Sequence, residues 1–293
     1  MDKYTAWEDV PPNLKTKTQL RKAGLKPDKG QKPAAVKTGG FRPYRLFDAD
    51  TAVPIKAPSP AQLTALAKAR QAQYCAECGE HVAVVGRISN KGGVCDFCHT
   101  MTRARKRSMD RLTKAASGEY VVFDTETTGL EHPEIIHISF VDQHGRVILD
   151  ERVQPMTAIE AGATAVHGHT AESLADCPTW PDIHGRVYEL MEQKRVLAYN
   201  TRFDLAALHH TCRLHNTPEP VPVVTACIME GFAAHFGDWS AKHHSFRWQS
   251  LSTAVGYLGV EAGDYHDAVG DALAAWRVLQ ALIEKGDTAV GKP

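Results

Sequence analysis

The sequence predicts an α/β protein: a mixed sheet flanked by helices, preceded by a small cysteine-centred module. Three observations carry that expectation. From residue 118 onward, short apolar strand-like runs come first and helix-period segments later, the order expected when an antiparallel meander opens a sheet that helices then cover. Just upstream stand two Cys-x-x-Cys pairs. Charge is split along the chain as well: residues 1–118 carry 22 Lys+Arg against 10 Asp+Glu, and the remainder 12 against 24. The net charge of zero is therefore a basic, polyanion-binding front cancelling an acidic body. With 293 residues and 43% hydrophobic content, the chain can bury one core of about 150–200 residues and still carry a smaller module.

Residues 1–58 are rich in Lys, Pro and Gly, and Pro27, Gly30, Pro33, Gly39 and Gly40 interrupt any period. They read as a basic, loosely ordered region with one short helix over 18–23. Pro60 opens a second helix in which Leu63, Leu66 and Ala67 share a face. Residues 59–117 are expected to form the cysteine module with a basic helix or linker, residues 118–286 the main domain, and residues 287–293 a tail.

Cys75, Cys78, Cys95 and Cys98 form C-x2-C-x16-C-x2-C. Four thiolates at that spacing close a tetrahedron around one structural Zn²⁺, leaving no open catalytic position. Gly79, Gly92 and Gly93 supply the tight turns of such a ribbon. Cys177, Cys212 and Cys227 are scattered, and read as small buried hydrophobes. Arg103, Arg105, Lys106, Arg107, Arg111 and Lys114 follow on a helix; such a run is either a solvated face or a contact for nucleic-acid phosphates.

In the main domain, strands are expected over 120–123, 135–141 and 147–153, the last two joined by a turn at Asp142, Gln143, His144 and Gly145. A helix over 181–193, a strand over 196–199, a helix over 202–215 and a strand over 221–227 follow. Two more helices are expected, over 249–257 and 267–284. In the last, Ala268, Ala272, Ala275, Trp276, Leu279 and Leu282 recur at helical spacing and must face the sheet. No segment is long and apolar enough to span a bilayer, and the N-terminus lacks the apolar run of a signal peptide. The expectation is a cytoplasmic protein with no membrane partner.

Asp124 and Glu126 end the first strand of that domain. Residues two apart on a strand point to one side, so the two carboxylates project together and repel unless a hard divalent cation sits between them. Alone, D-x-E is more often a solvated strand end. Asn200 stands at an N-cap position before Asp204, in the first turn of the next helix. His266 and Asp271 are five apart, so they converge only if His266 lies on the loop before the last helix.

With these three segments in order, D-x-E-T-T-G-L at 124–130, N-x-x-F-D at 200–204 and H-x-x-x-x-D at 266–271, residues 118–284 resemble the DnaQ-like DEDDh exonucleases. That family includes the polymerase proofreading subunit, RNase T and oligoribonuclease. The stretch Ala165, Val166, His167 and Gly168 is similar to its V-H-G segment. The resemblance implies a ribonuclease H-like fold and hydrolysis from nucleic-acid 3′ ends, catalysed by Asp124, Glu126, Asp204, His266 and Asp271. The four acids would hold two Mg²⁺ or Mn²⁺ ions, and His266 would act as base. Thr127, Thr128, Gly129, Leu130, His167 and Asn200 would contact the terminal nucleotide. Two residues depart from the family pattern: His137, where many relatives carry Glu, and His169, in place of an apolar residue. Trp239, Lys242, His243, His244, Phe246, Arg247 and Trp248 can stack on and steer a strand, or simply pack a loop. The expected substrate is single-stranded DNA with a free 3′ end, with a replication or repair protein as a possible partner. The alternatives are an RNA-trimming enzyme like RNase T or oligoribonuclease, and a zinc-dependent nucleic-acid-binding adaptor.

Overall fold

In the computed structural model, which describes residues 1–40, 42–88, 92–261 and 267–286, the basic front is folded. Met1–Cys75 with Gly79–Val82 form one compact unit, and Ala76–Cys78 with the chain from Ala83 onward form another. The first contains β1 (Asp2–Tyr4), β2 (Leu14–Thr16), α1 (Lys17–Lys22), β3 (Leu25–Lys26), β4 (Ala35–Lys37), β5 (Tyr44–Asp48), β6 (Val53–Pro54) and α2 (Pro60–Gln71). Four of these strands make a sheet in the order β1-β4-β5-β2, and β3 pairs with β6. Thr16 and Gln19 close a capping box on α1, which drives Leu20 into a small core with Ala35, Leu46 and Phe47.

The expectation of a loosely ordered stretch over 1–58 is thus corrected. Its strands are two to five residues long, too short to show a period. Only β4 and β5 form a local hairpin; the other pairing is long-range, with Asp2 opposing Ala35 and Leu14 opposing Asp48. The helix after Pro60 forms, capped by Ser59 and Gln62, yet it buries none of its residues, and Leu63 and Leu66 are each 54% exposed.

After α3 (Val82–Val85), whose first residue belongs to the first unit, the second unit contains α4 (Asp96–Ala115), β7 (Val121–Thr127), β8 (Ile135–Asp142), β9 (Val147–Arg152), α5 (Ala161–His167) and α6 (Trp180–Met191). After these come β10 (Arg195–Ala198), α7 (Thr201–Leu214), β11 (Val224–Cys227), α8 (Ile228–Phe236), β12 (Trp239–Ser240), β13 (Ser245–Phe246), α9 (Leu251–Leu258) and α10 (Ala268–Lys285). The main sheet runs β11-β10-β7-β8-β9. β7, β8 and β9 are the expected antiparallel meander, and β10 joins β7 and β11 in parallel.

Alternation along β7 sorts the two faces of the sheet. Val121 and Phe123 pack with Ile183 and Val187 of α6 and Leu208 of α7. Val122 packs with Phe232 of α8, Val278 and Leu279 of α10, and Leu112 of α4. The basic helix therefore has an apolar side that belongs to the core. Gly231 allows this approach, since a Cβ there would lie 2.4 Å from Leu112. Sequence reading missed α8 because Ile228, Met229, Phe232, Ala233, Ala234 and His235 are all buried, so no polar face marks a period. Among the described residues, no helix is long and apolar enough to cross a membrane.

Candidate active site

Asp124 and Glu126 share one side of β7, and α10 brings Asp271, in its first turn, against them. One carboxylate oxygen from each of the three lies within 4.8 Å of the other two. Thr125 points to the opposite side, where its Oγ1 donates to Asp204 Oδ1 at 2.9 Å. That bond fixes Asp204, in the first turn of α7, at the end of β7. Asp124, Glu126, Asp204 and Asp271 line one cavity of about 180 Å³ together with Tyr199, Asn200, Phe203 and Leu251. Asn200 is the N-cap residue of α7 as expected, but its side chain makes no cap bond. His266 lies outside the described residues.

Burial and mutual repulsion load this cluster. Asp124 is held well above the usual carboxylate range, by desolvation first and then by Asp204, Asp271 and Glu126. Glu126 is pushed up to about 7 by burial, then by Asp271, Asp267 and Asp204, and burial raises Asp204 to about 7. Carboxylates crowded out of water relax in one of two ways, by taking up protons or by binding a cation. An all-oxygen donor set suits a hard ion such as Mg²⁺ or Mn²⁺.

Beyond Glu126 the ladder with β8 slips by one residue, and the chain turns. Thr128 holds the turn through its N–H to Glu134 O at 2.9 Å, and its Oγ1 accepts from Glu134 N–H at 3.1 Å. Thr127 Oγ1 donates to Gly129 O at 2.9 Å. Both threonine side chains are thus spent on the turn. The Glu134 carboxylate is fully buried, accepts from the Met156 and Thr157 N–H groups, and meets His215 Nε2 at 2.9 Å. At Gly129 a Cβ would sit 2.3 Å from the Glu160 carboxyl carbon, so any larger residue there must push that exposed side chain aside.

This turn borders a second cavity of about 400 Å³, lined by Thr127, Gly129, Leu130, His167, Glu160 and Phe203 among others, with Thr125 and Glu126 shared with the acidic cavity. Leu130 is 80% exposed, available to a ligand rather than to the core. His167 is fixed on both ring nitrogens: Nε2 donates to Thr127 O at 3.2 Å, and Nδ1 accepts from His169 N–H at 3.0 Å. Its pKa is lowered, chiefly by burial. Of the six residues expected at the terminal nucleotide, Thr127, Gly129, Leu130 and His167 line this cavity, Asn200 lines the acidic one, and Thr128 lines neither. Phe203, the aromatic position of the N-x-x-F-D segment, was given no role by sequence reading, and Glu160 and Tyr199 were not singled out because they stand in no motif.

The family model RNase_T, described as an exonuclease, matches residues 121–279, which spans every element of this site. The chain belongs to the RNase_T exonuclease family. An uncharacterised exonuclease of Escherichia phage 186 is 31% identical over 183 residues, 60% of this chain and 94% of that protein. A DNA polymerase III subunit epsilon-like protein of Rhodobacter capsulatus is 32% identical over 195 residues, 62% of this chain but only 26% of its own length. Among solved structures, exonuclease X in complex with 5′ overhanging duplex DNA matches at 23% identity and a TM-score of 0.43, covering 58% of this chain and 95% of that one. The protein is a 3′–5′ exonuclease of the DEDDh type.

In this exonuclease the four clustered cysteines precede the sheet. The thiols of Cys75, Cys78, Cys95 and Cys98 all lie within 4.8 Å of one another. Gly79, Gly92 and Gly93 have φ of 73°, 86° and 69°, the left-handed turns expected beside the pairs. Cys98 N–H points at Cys95 Sγ at 3.5 Å, and Cys95 is the N-cap of α4. Zinc-type ligation would therefore anchor the start of the basic helix. Along that helix the charges divide. Arg105 is structural: its Nε donates to Ala234 O at 2.9 Å and its guanidinium lies over the Phe246 ring. Arg103, Arg107, Arg111 and Lys114 are exposed.

Proposed function

We propose that the exonuclease removes nucleotides one at a time from the 3′ end of single-stranded DNA, with Asp124, Glu126, Asp204 and Asp271 as ligands for two Mg²⁺ or Mn²⁺ ions. The observation that carries this reading is the convergence of Asp124, Glu126 and Asp271, from a strand and a helix far apart in sequence, within 4.8 Å. Bound there, such ions supply charge stabilisation to the attacking and leaving oxygens of the scissile phosphate. The chain's own residues do the rest. Thr125 orients Asp204. The turn at 127–129, with Gly129 admitting close approach, presents its backbone to the terminal sugar, Leu130 wedges the terminal base, and His167 and Asn200 contact the same nucleotide. His266, in the base role, would accept the proton of the attacking water, a task suited to a side chain of pKa near 6.5.

The same reading gives the basic segments a job. Arg107 and Arg111 of α4, with His243, His244, Arg247 and Trp248 of the β12–β13 region, line a groove of about 790 Å³. Glu230 also faces it and pairs with Arg111 at 3.5 Å. Trp248 is 59% exposed, as a stacking platform for a base requires. Leu251, three residues on, lines the acidic cavity. Three residues of extended chain reach about 10 Å, so the groove ends beside the scissile position. The exposed Trp248 ring beside Arg107, Arg111 and Arg247 supports a single strand, whose bases are free to stack, over a duplex. The four cysteines would hold one Zn²⁺ that fixes the helix start, residues 118–286 would be the nuclease domain, and replication or repair partners and a cytoplasmic setting remain part of the proposal.

The test is direct. 5′-labelled single-stranded DNA, RNA and mismatched duplex are each incubated with the protein in Mg²⁺, Mn²⁺ or EDTA. The expected result is a ladder shortened from the 3′ end, fastest on single-stranded DNA and absent in EDTA. Preferential trimming of RNA would replace the DNA reading with an RNase T-like one. Cleavage that survives Asp124→Ala would refute the mechanism.

A further inference from the structure

A second cluster of metal-ligating atoms stands beside the acidic cavity. His137 of β8, His169 in the turn after α5 and Asp267, the N-cap of α10, each offer one ligand atom, and the three atoms lie within 4.8 Å of one another. The protonation of His137 follows from its partners. Its Nε2 is 2.8 Å from Asp150 Oδ1, a carboxylate that can only accept, so the proton sits on Nε2. Ser139 donates to the same oxygen and holds it in place. In the neutral ring, Nδ1 then carries a lone pair, and it faces Asp267 Oδ1 at 3.3 Å. His137 is fully buried, and its Nδ1 has no hydrogen-bond partner among the described residues.

His169 Nε2 is likewise buried without a hydrogen-bond partner among the described residues. Its ring lies edge to face with His137 and stacked on His167. Burial first, and then His137 and His167, lower its pKa to about 4. Two imidazole rings, each with a buried nitrogen that has no hydrogen-bond partner among the described residues, thus converge with a carboxylate. Two other readings must be weighed. Arg152 reaches Asp267 Oδ1 at 3.5 Å, and a second proton on His137 would pair it with Asp267. Either would satisfy the carboxylate, but neither supplies a donor to His169 Nε2. A cation at the centre satisfies all three atoms.

We propose that His137 Nδ1, His169 Nε2 and a carboxylate oxygen of Asp267 bind one divalent first-row transition ion of the zinc class. Imidazole donors select such ions over Mg²⁺, and three protein ligands leave room for water. The outer contacts fit the same chemistry, because a metal-bound histidine ordinarily donates its other N–H to a carboxylate, as His137 does to Asp150. The ion ties β8, the turn after α5 and the start of α10 together. Asp271 is in the first turn of that helix, so occupancy fixes where this acid stands. The proposal is independent of which nucleic acid is cut.

Metal content and Co²⁺ absorption test it on the full chain, stripped by chelator and reloaded with Zn²⁺ or Co²⁺ in excess Mg²⁺. His169→Leu and Asp267→Asn, made in both the parent chain and an Asp124→Asn background, should each lower the bound transition metal by one equivalent. The intense thiolate bands of Co²⁺ at the four cysteines should stay unchanged. The ¹⁵N resonances of His169 should shift on adding Zn²⁺ beyond the equivalent taken by the cysteines. His169 is only half-buried, so His169→Leu is expected to fold, and Asp267→Asn keeps the side-chain shape. Unchanged stoichiometry in both variants, or a His169 signal indifferent to Zn²⁺, would overturn the site.

Discussion

Glu126 and His137 are Cα partners across the β7–β8 ladder, one step before the register slip at Thr127. Partners of this kind project from the same face. Asp267 acts on both, lying 3.3 Å from His137 Nδ1 and adding to the burial that raises Glu126. The acidic cluster and the histidine pocket therefore share a wall, and replacements on one side of it should be read with the other in mind.

Removing one carboxylate separates catalysis from stability. Asp124→Asn deletes a ligand and should lower the cleavage rate by about 10³-fold, the equivalent of about 4 kcal/mol of transition-state stabilisation. Because Asp124 is desolvated and repelled by three other acids, the same change should raise the melting temperature in EDTA. Single-turnover cleavage and thermal unfolding of one preparation check both signs.

Metal removal should expose a pH dependence. Glu126 and Asp204 titrate near 7 in the folded protein, against 4.5 and 3.8 as reference values. Over roughly pH 4 to 7 the folded state keeps protons that the unfolded chain has released, so stability falls as pH rises through that window. Thermal unfolding in EDTA is expected to show a lower melting temperature at pH 8 than at pH 5. Mg²⁺ or Mn²⁺ should restore stability at pH 8 and do little at pH 5; a flat EDTA profile would contradict the assignment.

Gly129→Ala places a methyl group against the Glu160 carboxylate, 2.3 Å from its carbon. Glu160 is exposed and its carboxylate can swing away, so the cost to stability should be small, about 0.5 kcal/mol. Glu160 also lines the terminal-nucleotide cavity, so its displacement should raise KM more clearly than it lowers stability. Gly129→Ala combined with Glu160→Ala, which removes the obstruction, should recover most of the stability. Denaturant unfolding and steady-state kinetics on the pair of variants measure this.

Salt dependence reads the basic groove. Single-strand binding falls with log salt at a slope of about −0.7 per phosphate neutralised. Replacing Arg107 and Arg111 together by Ala should make that slope shallower by about 1.4 while leaving metal-dependent cleavage of a very short oligonucleotide near the parent rate. Arg105→Ala, by contrast, removes a bond to Ala234 O and a ring contact, and should cost stability. Fluorescence anisotropy across a salt series distinguishes the two.

What was legible in the sequence was local. The meander over β7, β8 and β9, the helical period of α10, the shared side of Asp124 and Glu126 and the first-turn places of Asp204 and Asp271 follow from alternation, 3.6-residue spacing and capping, each readable within a dozen residues, although β7 runs on to Thr127 and so holds Asp124 in its middle. So were the four cysteines, whose spacing forces them together. The order of the N-terminal unit was not legible, because its strands are two to five residues long and β1, β2 and β3 hold only through partners more than twenty residues away, such as Lys15 with Phe47. Nor was α8, in which Glu230 is a lone charged position among buried residues, too little to draw the polar stripe that marks a helix.

By itself the sequence determined the family chemistry: which carboxylates exist, and that strand and helix ends carry them. Only the tertiary structure decided how they are shared out. It spent Thr127 and Thr128 on the turn, divided the basic helix between a half-buried, hydrogen-bonded Arg105 and an exposed Arg107 and Arg111, and joined His137, His169 and Asp267 into one cluster. These three residues are 32 and 98 positions apart in the chain, and no local pattern relates them. Their convergence exists only once β8 pairs with β7 and the first turn of α10 closes over the sheet.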